Sequence, residues 1–95
     1  MRRAARVDAN QAEIVGYLRA QGASVYLIQL PVDLLVGLHG KTELAEIKDP
    51  HSRYGKQGLN RNQQSFVELW RGGPVHVLDS LSAAQGLLER MGRAA

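Results

Sequence analysis

Between Asp33 and Lys48 the chain reads Asp-Leu-Leu-Val-Gly-Leu-His-Gly-Lys-Thr-Glu-Leu-Ala-Glu-Ile-Lys, two apolar runs meeting at His39-Gly40. A two-residue turn at that dipeptide fixes the pairing of everything on either side. It sets Gly37 opposite Thr42, Leu35 opposite Leu44 and Asp33 opposite Glu46. A three-residue turn would slip the register by one and set Asp33 opposite Ile47. Because side chains alternate along a strand, Lys48 shares the face of Glu46, whereas Ala45 and Ile47 take the other. The two-residue turn therefore predicts two carboxylates and an ammonium on one patch.

The rest of the chain supplies elements to flank this hairpin. Asp8 with Gln11 has capping-box spacing, and Ile14, Val15 and Leu18 recur at helical period, so a helix is expected over Ala9–Gln21, closed by Gly22. Ser24–Leu30 reads as a strand ended by Pro31. The hairpin strands are expected over Asp33–Leu38 and Lys41–Lys48. Three consecutive apolar residues, Leu34, Leu35 and Val36, predict a strand covered on both faces and so central in a sheet. Asp49–Leu59, with Pro50, Gly55 and Gly58, is a loop. Asn60 and Gln63 again have capping-box spacing, opening a helix through Phe66, Val67, Leu69 and Trp70 that stops at Gly72-Gly73-Pro74. Val75–Leu78 is a short strand. Ser80 or Ser82 caps a last helix carrying Leu81, Ala84, Leu87, Leu88 and Met91.

Short connections allow the first three strands to pair antiparallel, and the helix between the third and fourth suits a parallel crossover. The expectation is one α/β domain over residues 1–95, a mixed four-stranded sheet flanked by helices, with a basic arm at 1–7 and a frayed tail at 92–95. The absence of cysteine removes disulfides, thiolate metal sites and cysteine nucleophiles. No apolar run reaches the roughly 18 residues a membrane span needs, and the N-terminus lacks a signal-peptide stretch, which predicts a cytoplasmic protein.

Charge sharpens the functional reading. The net charge is +3, with Arg2, Arg3 and Arg6 in the arm and Lys48, Arg53, Lys56 and Arg61 against Asp49 alone in the long loop. Such a loop is either an ordinary solvated surface or a set of phosphate contacts beside the carboxylates. Asp33 and Glu46 suit Mg²⁺ or Mn²⁺, with Lys48 stabilising charge or orienting water; the plain alternative is a cross-strand charge cluster. Like charges set opposite each other are not what stability alone favours. His39 suits a turn position tolerant of positive φ and His76 a strand, and neither forms a metal pair by spacing. Gly40-Lys41-Thr42 fails as a phosphate loop because position 35 is Leu rather than Gly.

Asp33, Glu46-Ile47-Lys48, the strand order and Leu59-Asn60-Arg61-Asn62-Gln63 together resemble the PD-(D/E)xK nuclease superfamily over Val7 to about Met91. Within it the chain looks most like stand-alone VRR-NUC (virus-type replication-repair nuclease) proteins of phages, and more distantly like archaeal Holliday-junction resolvases. The resemblance implies a restriction-endonuclease-like αβββαβ core with an extra C-terminal helix. It implies a Mg²⁺-dependent DNA endonuclease, with Mn²⁺ able to substitute, acting on branched DNA such as four-way junctions, in a bacterial or phage-infected cell. Asp33, Glu46, Ile47 and Glu13 become the expected metal residues, Lys48 and Gln63 the supporting catalytic ones, and His51, Arg53, Lys56 and Arg61 the DNA contacts.

Two features depart from the family pattern. Val32 separates Pro31 from Asp33, where the family often has Pro directly before the Asp. The first-helix Glu of the family sometimes aligns where Asn10 or Gln11 stands here, and Glu13 is the only acid on that helix. Glu13 can equally be plain helix surface, and Gln63 a plain cap. One site per chain predicts a homodimer for symmetric cutting of two strands. A non-catalytic nucleic-acid-binding module, or a protein-interaction domain, on the same fold is the competing class.

Overall fold

The computed structural model describes residues 9–51 and 61–92, which form α1 (Gln11–Ala20), β1 (Ser24–Leu27), β2 (Leu34–Leu38), β3 (Lys41–Ile47), α2 (Arg61–Leu69), β4 (Val75–Leu78) and α3 (Leu81–Arg90). His39 and Gly40 take φ of 54° and 77°, the left-handed pair a type I′ turn requires, and Gly40 meets that demand without a Cβ penalty. The register follows: Leu38 pairs with Lys41, Leu35 with Leu44 and Leu34 with Ala45. β1 pairs antiparallel with β2, and β4 pairs parallel with β3. The sheet is mixed and four-stranded, in the order β1-β2-β3-β4, with the hairpin at its centre. No helix among the described residues is long and apolar enough to cross a membrane.

Both α1 and α3 belong to one layer. Ile14, Val15 and Leu18 of α1 join Ala84, Leu87 and Leu88 of α3, with Met91, in a single buried cluster against Val25, Leu34, Val36, Ala45, Ile47 and Leu78 of the sheet. Spacings of three and four place those helix residues on one stripe, and alternate strand residues meet it. α1 closes in a Schellman arrangement, the Gly22 and Ala23 amides donating to the Arg19 and Leu18 carbonyls. Ser80 rather than Ser82 caps α3, its hydroxyl accepting the Ala83 amide at 3.1 Å. At the rim of this core His76 is buried: its Nε2–H donates to Glu43 Oε1 at 2.9 Å, and Nδ1 accepts from Arg90 at 3.5 Å. His76 thus satisfies a structural network.

Three expectations need correction. The first strand stops at Leu27, short of Leu30, because the Ile28 and Gln29 amides both turn to the Asp33 carbonyl and Gln29 enters the left-handed region at φ 70°. Helix α1 begins at Gln11, preceded by Asn10 at the cap position; Asp8 and Asn60, read as caps, lie outside the described residues. In β2 only Leu34 and Val36 are fully buried, whereas Leu35 on the second face is half-buried. Among the described residues that second face has no packed helix layer: no residue of α2 is fully buried.

Candidate active site

The thinly covered face carries the cluster of expected site residues. Asp33 lies just before β2 and Glu46 near the end of β3, in the register the two-residue turn predicts, and Glu46 pairs with Val77 across the parallel ladder. Two hydrogen bonds tie Asp33 to the end of β3, one of them to Glu46 itself. The Asp33 amide donates to Glu46 Oε1 at 3.1 Å, and the Ile47 amide donates to Asp33 Oδ2 at 2.8 Å. Val32 supports this entry: its side chain is fully buried, so Val32 anchors the turn that delivers Asp33.

Around Glu46 the remaining donors converge. Lys48 Nζ stands 3.8 Å from Glu46 Oε2, and the Gln63 side-chain amide donates to the same oxygen from the first turn of α2. Glu46 is 3% exposed although Val77 beside it is 45% exposed. Burial, then the charge of Asp33 and a hydrogen bond to it, push the Glu46 carboxyl up to about 7, against the opposing Gln63 hydrogen bond and Lys48 charge. One proton, or one cation, is the economical content of such a pair. Asp33, Glu46, Lys48 and Gln63 are therefore brought together.

Other expected residues are placed differently. Glu13 sits in the first turn of α1 and is exposed, and no group of three His, Asp or Glu able to hold a metal forms among the described residues. No hydrogen bond or ion pair links Glu13 to Asp33 or Glu46 among the described residues. The Ile47 side chain is fully buried in the core, which leaves only its main chain for any contact at the site. Arg61 opens α2 and is exposed; His51 is exposed, with its amide donating to Asp49 Oδ1 at 2.9 Å. Arg53 and Lys56 lie outside the described residues.

Asn10 was the residue least legible in this role. Its Nδ2 donates to the Lys48 carbonyl at 3.1 Å and reaches the Asp79 carbonyl at 3.5 Å, tying the start of α1 to the ends of β3 and β4. Its side chain does not cap α1. Both neighbours are acceptors, so the amide orientation is fixed, and Oδ1 is buried with no partner among the described residues. An Asn at a helix start suggests capping by its residue type, which is not what this side chain does.

A groove of about 520 Å³ lies elsewhere, between α1 and Leu27, lined by Ala12, Val15 and Arg19 among others. It contains none of the convergent polar groups. No protein-family model, curated protein or solved structure matches the chain.

Proposed function

We propose that the protein is a metal-dependent DNA endonuclease acting on branched or otherwise structured DNA. The observation that carries the reading is the meeting of Asp33, buried Glu46, Lys48 and Gln63 on one patch of a sheet whose opposite face is packed. Two hard carboxylate ligands fit Mg²⁺, which takes one or two from protein and the rest from water and phosphate. Held by Asp33 and Glu46, such an ion would neutralise phosphate charge and acidify an attacking water.

The chain's own residues supply the rest. The ammonium of Lys48 adds positive charge where charge gathers on the phosphate oxygens, and it can hold water by hydrogen bond. Gln63 fixes the orientation of the Glu46 carboxylate. Exposed Arg61 is available to a flanking phosphate. Cutting two strands symmetrically needs two such sites, so the working form is a homodimer in the cytoplasm of the host cell.

The test is cleavage of labelled four-way junction, duplex and single-stranded DNA with Mg²⁺, Mn²⁺ or chelator. Metal-dependent cleavage that disappears in Asp33→Ala and Glu46→Ala is expected. Full activity in either variant overturns the mechanism, and salt-sensitive binding without cleavage at any metal concentration converts the protein to a binding module.

A further inference from the structure

Seven residues after Gln63, on the same helical line, stands Trp70. Positions 63, 66, 67 and 70 share one side of a helix, and seven residues rise about 10.5 Å. The hydrogen bond from Trp70 N to the Phe66 carbonyl, 2.8 Å, carries the helical path through to Trp70. Gln63 touches Glu46, so this line begins at the carboxylates and ends at the indole.

Trp70 is held in place yet open. Its Nε1–H donates to the Gly73 carbonyl at 2.9 Å. The Phe66 ring lies 5.2 Å away, centroid to centroid, tilted by 30°. Gly72 has no side chain, and a Cβ there would overlap the indole ring, so the ring lies directly against the turn. Despite these anchors the residue is 44% exposed, and Val67 beside it is 37% exposed. An aromatic ring fixed at one edge and open to solvent loses little further entropy when a flat ligand lands on it.

Charge selects the ligand. Exposed Arg61 and Arg71 bracket α2 at its two ends, and the chain as a whole carries +3. The acid Glu68 lies about 160° around the helix from Trp70, off this line. A second copy would bring like charge to like, whereas a nucleic-acid strand brings phosphates to the arginines and a π-face to the indole.

We propose that Trp70, backed by Phe66, is a stacking wall for an unpaired base of DNA next to the bond addressed by Asp33 and Glu46. The site thereby selects DNA with an unpaired or displaced nucleotide over continuous duplex. The inference deepens the nuclease reading and rests on its DNA partner, but not on cleavage.

Trp70 is the only tryptophan of the chain, so its emission reports this one ring. The experiment titrates the full chain, in chelator, with a short oligothymidylate and with a blunt duplex. It follows tryptophan emission together with the anisotropy of a label on the DNA. Emission should be quenched by the oligothymidylate with the same midpoint as the anisotropy. Trp70→Ala should weaken that binding by about 5- to 150-fold, Trp70→Phe should weaken it less, and duplex affinity should stay near wild type. Circular dichroism on both variants establishes that they fold.

Anisotropy that saturates while wild-type emission stays unchanged overturns the stacking wall and leaves the nuclease reading standing. Quenching without cleavage under any metal does the reverse. An emission shift that grows with protein concentration in the absence of DNA assigns the patch to a second copy and overturns the proposal.

Discussion

The two faces of the sheet follow opposite rules. On the face toward α1 and α3, residues such as Ile14, Leu18, Leu34, Ala45, Ile47 and Leu87 are fully buried. On the other face Tyr26 is 67% exposed and Val77 45% exposed, no residue of α2 is fully buried, and among the described strand residues of that face the one withdrawn from water is a carboxylate, Glu46. The first face holds the fold by apolar burial at about 25 cal/mol per Å². The second gives up that contribution and spends its contacts on charged groups. Apolar burial and the charged cluster are thus separated by the thickness of one sheet.

The largest expected effect lies on the open face. Asp33→Ala or Glu46→Ala should lower metal-dependent DNA cleavage by at least about 100- to 1,000-fold, because each removes a ligand and part of the charge stabilisation. Steady-state cleavage of a junction substrate measures it. If the separation holds, both variants keep a cooperative thermal transition.

Next in size is the packed face. Leu18→Ala or Leu87→Ala should cost about 2–5 kcal/mol of unfolding free energy through lost burial and a cavity. Trp70→Ala should cost well under half of that, given its exposure. Urea denaturation of the three variants side by side decides the matter: equal losses at Leu18 and Trp70 would erase the contrast between faces.

Glu46 should also give the open face a pH signature. Its carboxyl holds a proton up to about 7 in the folded chain against 4.5 as its ordinary value. Between those values the folded protein binds a proton that the unfolded chain releases. Its contribution to stability is therefore fully present below about 4.5, declines as pH rises, and is gone above about 7. The total is on the order of 3 kcal/mol. Glu46→Gln should flatten this slope, and Mg²⁺ should raise the melting temperature more at alkaline than at acidic pH. A wild-type melting curve identical to that of Glu46→Gln across the range would remove Glu46 as the cause.

The smallest effect sharpens the role of α2. Gln63→Ala should weaken Mg²⁺ dependence about 10- to 100-fold while leaving the melting temperature nearly unchanged, since Gln63 supports Glu46 but packs no core. Metal titration of cleavage tests this.

What the sequence disclosed tracks how local each cause is. The pairing of Asp33 with Glu46 was readable because two residues, His39 and Gly40, set it through backbone sterics alone. The stripes of α1 and α3 were readable because periodicity and burial agree there. Helix α2 has the same kind of stripe, Phe66, Val67 and Trp70, yet none of these is fully buried, and no local pattern separates a stripe left open to solvent from one meeting a core. The early end of β1 depends on a carbonyl at Asp33, and the role of Asn10 on partners 38 and 69 positions away. Such contacts exist only after the chain has closed on itself.

The parallel pairing of β3 with β4 obliges the chain to leave the sheet after Ile47 and return at Val75, and that excursion carries Lys48, Gln63, Phe66 and Trp70. Since its helix buries no residue, the excursion behaves like an interchangeable tool head clamped at both ends by the ladder. Replacing only the stretch after Gln63, residues 64–74, with another segment of similar span would change what this excursion presents to solvent while Asp33, Glu46, the Gln63 hydrogen bond and the packed layer keep their places.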